Sequence, residues 1–150
     1  MNIMKMLLSL SFLLISAPSF AVNASFTKSA SPGFVSVTNG GIGIAGFYAA
    51  STSFPSGTLN MPKTLLGIDW RTTLYPNNPA ETVDICYYRP YTRIPVGCVP
   101  ISRDSSGTIT SFNNQLFDMG SEIRIFHYIN GGPCCAFPAG KDTVTIHYSY

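Results

Sequence analysis

The sequence has little charge, few histidines and no catalytic motif, and these shortages exclude most ways of building an active site. Charged residues make up 11% of the 150-residue chain, and His127 and His147 are its two histidines. The chain has no Gly-x-Ser-x-Gly elbow, no phosphate-binding loop and no calcium loop. No motif places a pair of carboxylates as a glycosidase acid and nucleophile. We therefore expect a protein that is not an enzyme and has no cofactor.

The sequence also lacks cysteines and histidines at the spacing of a metal site. A zinc site needs Cys-x-x-Cys or Cys/His spacing, and the adjacent Cys134 and Cys135 cannot easily both reach one tetrahedral metal ion. His127 shares one face of a predicted strand with isoleucines, which predicts a structural, hydrogen-bonded histidine and not a ligand. The sequence therefore predicts no metal site.

Clustered positive charge, which nucleic-acid binding requires, is also absent. The formal net charge is +2, and lysines and arginines are scattered along the chain. A protein that binds phosphates strongly concentrates such residues on one face. We therefore exclude nucleic acid as a partner.

Long apolar runs are missing after the first 21 residues, whereas those residues have the order of a secretory signal peptide. Lys5 is followed by the apolar run Met6–Ile15, and the small residues Ser19 and Ala21 precede a cleavage site after position 21. The run is too short to span a bilayer, which takes roughly 20 apolar residues. We expect residues 1–21 to be removed and residues 22–150 to form one soluble domain, periplasmic or secreted.

Four cysteines in an exported chain predict disulfide bonds. A bond between Cys86 and Cys98 would join two neighbouring strands across the loop between them. Cys134 and Cys135 would then form a vicinal disulfide or remain thiols. A crossed pattern would instead join each of them to one of the earlier cysteines, and the spacing does not choose between these patterns.

Apolar and polar residues alternate along most of the chain, which is the pattern of strands with one buried face. The segment Thr64–Tyr75 places Leu66, Ile68 and Trp70 on one face, so Trp70 is expected in the core. The other predicted strands are Phe34–Thr38, Ile42–Ala50, Thr82–Tyr88, Pro95–Ile101, Glu122–Asn130 and Asp142–Tyr150.

About seven short strands predict an all-β protein, specifically an antiparallel β-sandwich, with a small OB-like barrel as the alternative. The turn Asn39-Gly40-Gly41 predicts that the first two strands form a hairpin. The segment Ser111–Met119 fits a short helix or an irregular connection. No helical periodicity extends over a longer stretch.

Aromatic residues at predicted turns are the strongest binding candidates. Tyr88, Arg89 and Tyr91 lie at the end of a predicted strand, and Phe137 lies in a loop stiffened by two prolines. A tyrosine presents a flat apolar face with a polar tip, which suits stacking on a sugar or burial in a protein interface.

The order of features in the C-terminal two thirds resembles the FlhE family of periplasmic flagellar proteins. The matching features are Trp70-Arg71, Cys86 and Cys98, Gly107-Thr108, Phe112, Gly131-Gly132, and Val144, Ile146 and Tyr148 in the last strand. The pair Cys134-Cys135 departs from this pattern as an addition. The resemblance implies a periplasmic β-sandwich with a protein partner in the cell envelope. It also implies that the protein assists flagellar rod and hook assembly and limits leakage through the export gate by contact alone.

A second resemblance keeps a glycan partner open. The run Ile123-Arg124-Ile125 is similar to a strand of small secreted toxin B subunits, which are OB-fold pentamers that bind glycans. The alternative function is therefore a secreted carbohydrate-binding protein, toxin B-subunit-like or adhesin-like. In that case Tyr88 and Tyr91 should be exposed on a shallow groove.

Overall fold

The computed structural model describes residues 21–36 and 40–150, and it shows two packed antiparallel β-sheets. The cleavable segment predicted for residues 1–21 therefore lies outside the described residues, apart from Ala21. Eight strands occur in the described ranges: β1 Asn23–Ala30, β2 Gly41–Tyr48, β3 Thr64–Arg71, β4 Thr82–Tyr88, β5 Gly97–Ile101, β6 Ser106–Ile109, β7 Glu122–Ile129 and β8 Asp142–Ser149.

Each sheet contains four strands, in the orders β1-β8-β3-β6 and β2-β7-β4-β5. All the pairings are antiparallel, and the sheets remain open at both edges. The predicted all-β sandwich is confirmed, and the barrel alternative is wrong because the strands do not close into one sheet.

Side chains on the inner faces of the two sheets make the core. In β7, Ile123 and Ile125 are fully buried. In β8, Val144, Ile146 and Tyr148 are at most 1% exposed. Their neighbours along each strand are half-buried on the outer face, as period-two alternation requires. Burying one such aliphatic side chain contributes about 1.5–3 kcal/mol.

A β-bulge changes the predicted alternation of β3. The pairing with β8 shifts between Leu65 and Gly67, and this shift turns Leu65 and Ile68 inward together. Leu66 is consequently half-buried, although it was expected on the core face. Trp70 is also half-buried and packs against the edge of the core.

Strands β1 and β6 were not predicted. Strand β1 has Phe26 as its one large apolar inward residue, and β6 is four residues long. Both are edge strands, whose exposed backbone tolerates short and polar sequences.

The hairpin predicted for Phe34–Ala50 is wrong in the described residues. Strand β2 pairs with β7, and Val35 forms its bridge with Ala136, which is distant in the sequence. The Ile44 amide donates to the Pro32 carbonyl at 2.9 Å, so the segment approaches β2 without forming a ladder. Residues 37–39, which include Asn39 of the predicted turn, lie outside the described residues.

The segment Ser111–Met119 forms the irregular connection, not the helix. Leu116 makes an isolated bridge with Thr64, and turns occupy the neighbouring residues. In residues 21–36 and 40–150, no helix is long and apolar enough to cross a membrane.

Candidate functional site

Three loops meet at one end of the sandwich, and we call this region the loop end. They are residues 49–63 between β2 and β3, residues 89–96 between β4 and β5, and residues 110–121 between β6 and β7. They meet because these segments leave or enter their strands at the same end of the two sheets. The sequence-predicted residues Arg89 and Tyr91 lie here.

Exposed apolar side chains are concentrated at the loop end. The set comprises Leu59, Met61, Tyr91, Ile94, Val96, Leu116 and Met119. Leu59, Tyr91, Leu116 and Met119 line a hollow of about 400 Å³. On most monomeric proteins, exposed apolar residues are scattered singly over the surface. A patch of several such residues is therefore typical of an interaction surface.

A buried lysine holds two of these loops together. The Lys63 side chain has no exposure, and its ammonium donates to the carbonyls of Leu59 at 3.3 Å and Met61 at 2.8 Å. It also pairs with Asp118 at 3.1 Å and lies 4.8 Å from the centre of the Phe54 ring. These contacts fix the loop 49–63 against the loop 110–121. The sequence does not indicate that Lys63 is buried, because lysine side chains are usually exposed.

The Tyr91 ring is held in place on one side and open on the other. Tyr91 is 71% exposed and has a φ of 58°. The ring packs against Gly120. A Cβ atom at position 120 would lie 2.8 Å from the ring, so a residue other than glycine there would collide with it. The Tyr91 amide donates to the Gly120 carbonyl, and the Gly120 amide donates to Ala49 at 2.9 Å. One face of the tyrosine ring is therefore fixed against the loop 110–121, and the other face is exposed.

Two arginines give the loop end positive charge. Arg89 and Arg93 line a second hollow of about 520 Å³ together with Ile94 and Val96. The Arg89 guanidinium donates to the neutral side chain of Gln115 at 2.7 Å. In the described part of the chain, neither arginine has an ion-pair partner.

The remaining predicted binding residues lie elsewhere or are covered. Tyr88 was expected to be exposed, yet it is 6% exposed because the Arg124 guanidinium lies 4.6 Å from its ring centre. Glu122 in turn accepts a hydrogen bond from Arg124 at 2.6 Å. Phe137 is exposed, but it lies at the opposite end of the sandwich.

The opposite end, which we call the cysteine end, carries the loop 130–141 and the segment 31–36. The rings of Phe34 and Phe137 lie 5.1 Å apart, and both are more than half exposed. Next to them Val35 and Ala136 exchange backbone hydrogen bonds of 3.0 and 2.9 Å. This end therefore presents an aromatic pair on a short backbone bridge.

The structure decides the cysteine pairing. Cys86 and Cys98 are bonded to each other, which confirms the predicted link between neighbouring strands and rules out the crossed pattern. Cys134 and Cys135, for which the sequence left a vicinal disulfide or free thiols open, are exposed free thiols with sulfur atoms 2.8 Å apart. Because the two residues are adjacent, a bond between them would have to close a small strained ring.

A buried charged cluster lies beneath the cysteine end. His127 on β7 contacts Glu81 at 2.6 Å through Nδ1 and Asp142 at 2.8 Å through Nε2, and all three side chains have no exposure. The second oxygen of Glu81 accepts from the Tyr75 amide at 3.0 Å, and that of Asp142 accepts from the Thr73 amide at 2.8 Å. His127 is therefore the buried, hydrogen-bonded histidine that the sequence predicts.

The surroundings of this cluster set its charge. Burial lowers the pKa of His127, but the hydrogen bonds and charges of Asp142 and Glu81 outweigh it and raise the pKa to about 9. Burial, together with the two carboxylates, raises the pKa of Tyr75 to about 12. Both imidazole nitrogens are occupied, so His127 has no free atom for proton exchange with a substrate.

Comparison with known proteins shows a likeness to a solved structure. No family model and no curated protein matches the chain. The crystal structure of FLHE matches with a TM-score of 0.58 and 15% sequence identity, over 84% of this chain and 96% of the FLHE chain. The chain has the FlhE fold. The resemblance to FlhE indicated by the sequence is thus confirmed at the level of the fold, and the β-sandwich is shared over nearly the whole length of FLHE.

Proposed function

We propose that this chain is an exported, non-enzymatic accessory protein of the cell envelope that acts by protein contact. By its likeness to FlhE, it would assist assembly of the flagellar rod and hook. The observation that carries this proposal is the FlhE fold, which covers 84% of the chain. The loop end supports a contact function, since its exposed apolar side chains surround fixed loops.

The proposed location is the periplasm, after removal of residues 1–21. The Cys86–Cys98 disulfide supports this, because structural disulfides persist in oxidising compartments and are rare in the cytoplasm. The absence of enzyme activity is part of the same proposal. It is supported by the histidines: His127 is enclosed by two carboxylates, and His147 pairs with Asp69 at 2.8 Å.

Deletion and rescue in the native host test the proposal. We expect the deletion strain to lose motility or build defective hooks, and the full chain to restore both. A version without residues 1–21 remains in the cytoplasm and should not rescue. Full rescue by that version would contradict a periplasmic role, and normal hooks in the deletion strain would contradict a role in assembly.

A secreted glycan-binding protein is the second candidate, and the exposed ring of Tyr91 favours it. An aromatic face that is 71% exposed can stack on a sugar ring. This candidate predicts glycan binding that Tyr91→Ala abolishes while the fold is retained. Glycan binding that persists in Tyr91→Ala, or no binding by the native protein, would contradict it.

A further inference from the structure

The loop end has the composition of a protein interface. Tyrosine, methionine and arginine are enriched at interface centres, and all three line the two hollows of the loop end. Tyr91 and Met119 are exposed there, although the backbone that carries them is held by hydrogen bonds and by the buried ammonium of Lys63. Such a surface loses little conformational entropy on binding.

The charge of the loop end favours an acidic partner. Asp118, which borders the apolar hollow, is neutralised by Lys63 at 3.1 Å. Arg89 and Arg93 have no such compensation within the described residues and both line the second hollow. The uncompensated charge is therefore positive, and carboxylates on a partner would complement it.

We propose that the loop end binds a protein segment that carries apolar anchor residues next to aspartate or glutamate. The apolar hollow formed by Leu59, Leu116 and Met119 accepts the anchors, and Arg89 and Arg93 pair with the carboxylates. Arginine suits this role because its planar guanidinium can hold a carboxylate with two hydrogen bonds. The inference rests on the proposed function, to which it adds the site and the chemistry of the partner.

The shape of the surface favours a polypeptide over an anionic membrane. The apolar residues line hollows of about 400 and 520 Å³, whereas membrane insertion favours protruding apolar side chains.

The test is a selection from an unbiased library of random 12-residue peptides displayed on phage, with the full chain purified from the periplasm as bait. We expect the enriched sequences to combine large apolar residues with aspartate or glutamate. We expect Arg93→Glu and Leu116→Ser each to weaken binding of the best synthetic peptide about tenfold or more.

Two matched variants serve as controls on the outer faces of the sheets. Arg71→Glu reverses an exposed charge as Arg93→Glu does, and Ile42 is 53% exposed, as is Leu116. We expect Arg71→Glu and Ile42→Ser to leave peptide affinity within about twofold. Equal losses in the control and loop-end variants would place the binding elsewhere and overturn the inference.

Three other outcomes would also overturn the inference. No enrichment, or enrichment of basic or purely polar peptides, would overturn the inference. So would binding to vesicles of anionic phosphatidylglycerol that displaces the selected peptide, since the surface would then be a membrane site. The selection does not depend on flagella. A failed selection would therefore overturn the peptide site without contradicting the proposed function, and a failed motility rescue would contradict the proposed function without contradicting the peptide site.

Discussion

Glu81 and His127 are joined in the protein interior by a hydrogen bond of 2.6 Å between Oε1 and Nδ1. Asp142 contacts the other side of the imidazole at 2.8 Å, and it begins a strand of the opposite sheet. His127 therefore connects the two sheets through charged groups that have no contact with solvent. The fold should depend on the charge state of this imidazole.

Stability should fall at alkaline pH as His127 loses its proton. The pKa of His127 is about 9 in the folded protein and 6.5 in an unperturbed histidine. Because the folded-state pKa is the higher one, the stabilising contribution is complete below about pH 6.5 and is lost as the pH rises through about 9. Denaturant unfolding at steps between pH 6 and pH 10 measures this loss. A free energy of unfolding that does not fall between pH 7 and pH 9.5 would contradict it.

Removing the imidazole should destabilise the protein strongly. His127→Ala leaves the Glu81 and Asp142 carboxylates buried without their shared partner, which typically costs about 3–5 kcal/mol. His147→Ala is the matched control, because His147 also pairs with an aspartate but is 41% exposed. The control should lose less than about 1 kcal/mol in the same unfolding experiment. Similar losses in the two variants would argue against a structural role for the buried cluster.

The Cys86–Cys98 bond should contribute more to stability than the adjacent thiols do. These cysteines are 12 residues apart, and closing a loop of this size contributes about 3 kcal/mol. We expect that loss in Cys86→Ala/Cys98→Ala, measured by denaturant unfolding. Cys134→Ala/Cys135→Ala alters exposed side chains and should change stability by less than about 0.5 kcal/mol. Mass mapping without reductant that finds free thiols at Cys86 and Cys98 would refute the pairing.

Lys63 should control the rigidity of the loop end. Lys63→Met retains the volume of the side chain but removes the donor from the Leu59 and Met61 carbonyls and leaves Asp118 unpaired. We expect a loss of about 1–3 kcal/mol and faster amide hydrogen exchange in residues 59–63 and 116–121. Lys141→Met changes an exposed lysine and should alter neither quantity. Unchanged exchange in Lys63→Met would show that the loops are fixed by other contacts.

The strands that could be predicted are those whose residues face both the core and solvent. Strands β7 and β8, each central in its sheet, alternate clearly between buried and half-buried residues. Strands β1 and β6 could not be predicted, because their sequences are mostly small and polar and each has one large apolar residue, Phe26 in β1 and Ile109 in β6. The β3 bulge is likewise set by pairing with β8 and has no local signal.

The candidate site could be predicted only where it depends on local sequence. Tyr91 follows a proline in a turn, and its exposure was expected. Tyr88 does point away from the core, but Arg124 from the neighbouring strand covers it, which no local pattern reveals. The partners of His127 lie 46 and 15 residues away, so folding alone brings the buried cluster together.

The most direct test of the proposed contact function is crosslinking of the tagged full-length chain in cells of its own host, with the captured proteins identified by mass spectrometry. We expect rod, hook or export-gate proteins to be captured with residues 22–150, and we expect Arg93→Glu to reduce their yield while Arg71→Glu does not. Recovery of the chain from the medium, or bound to surface polysaccharide without any of these proteins, would contradict it.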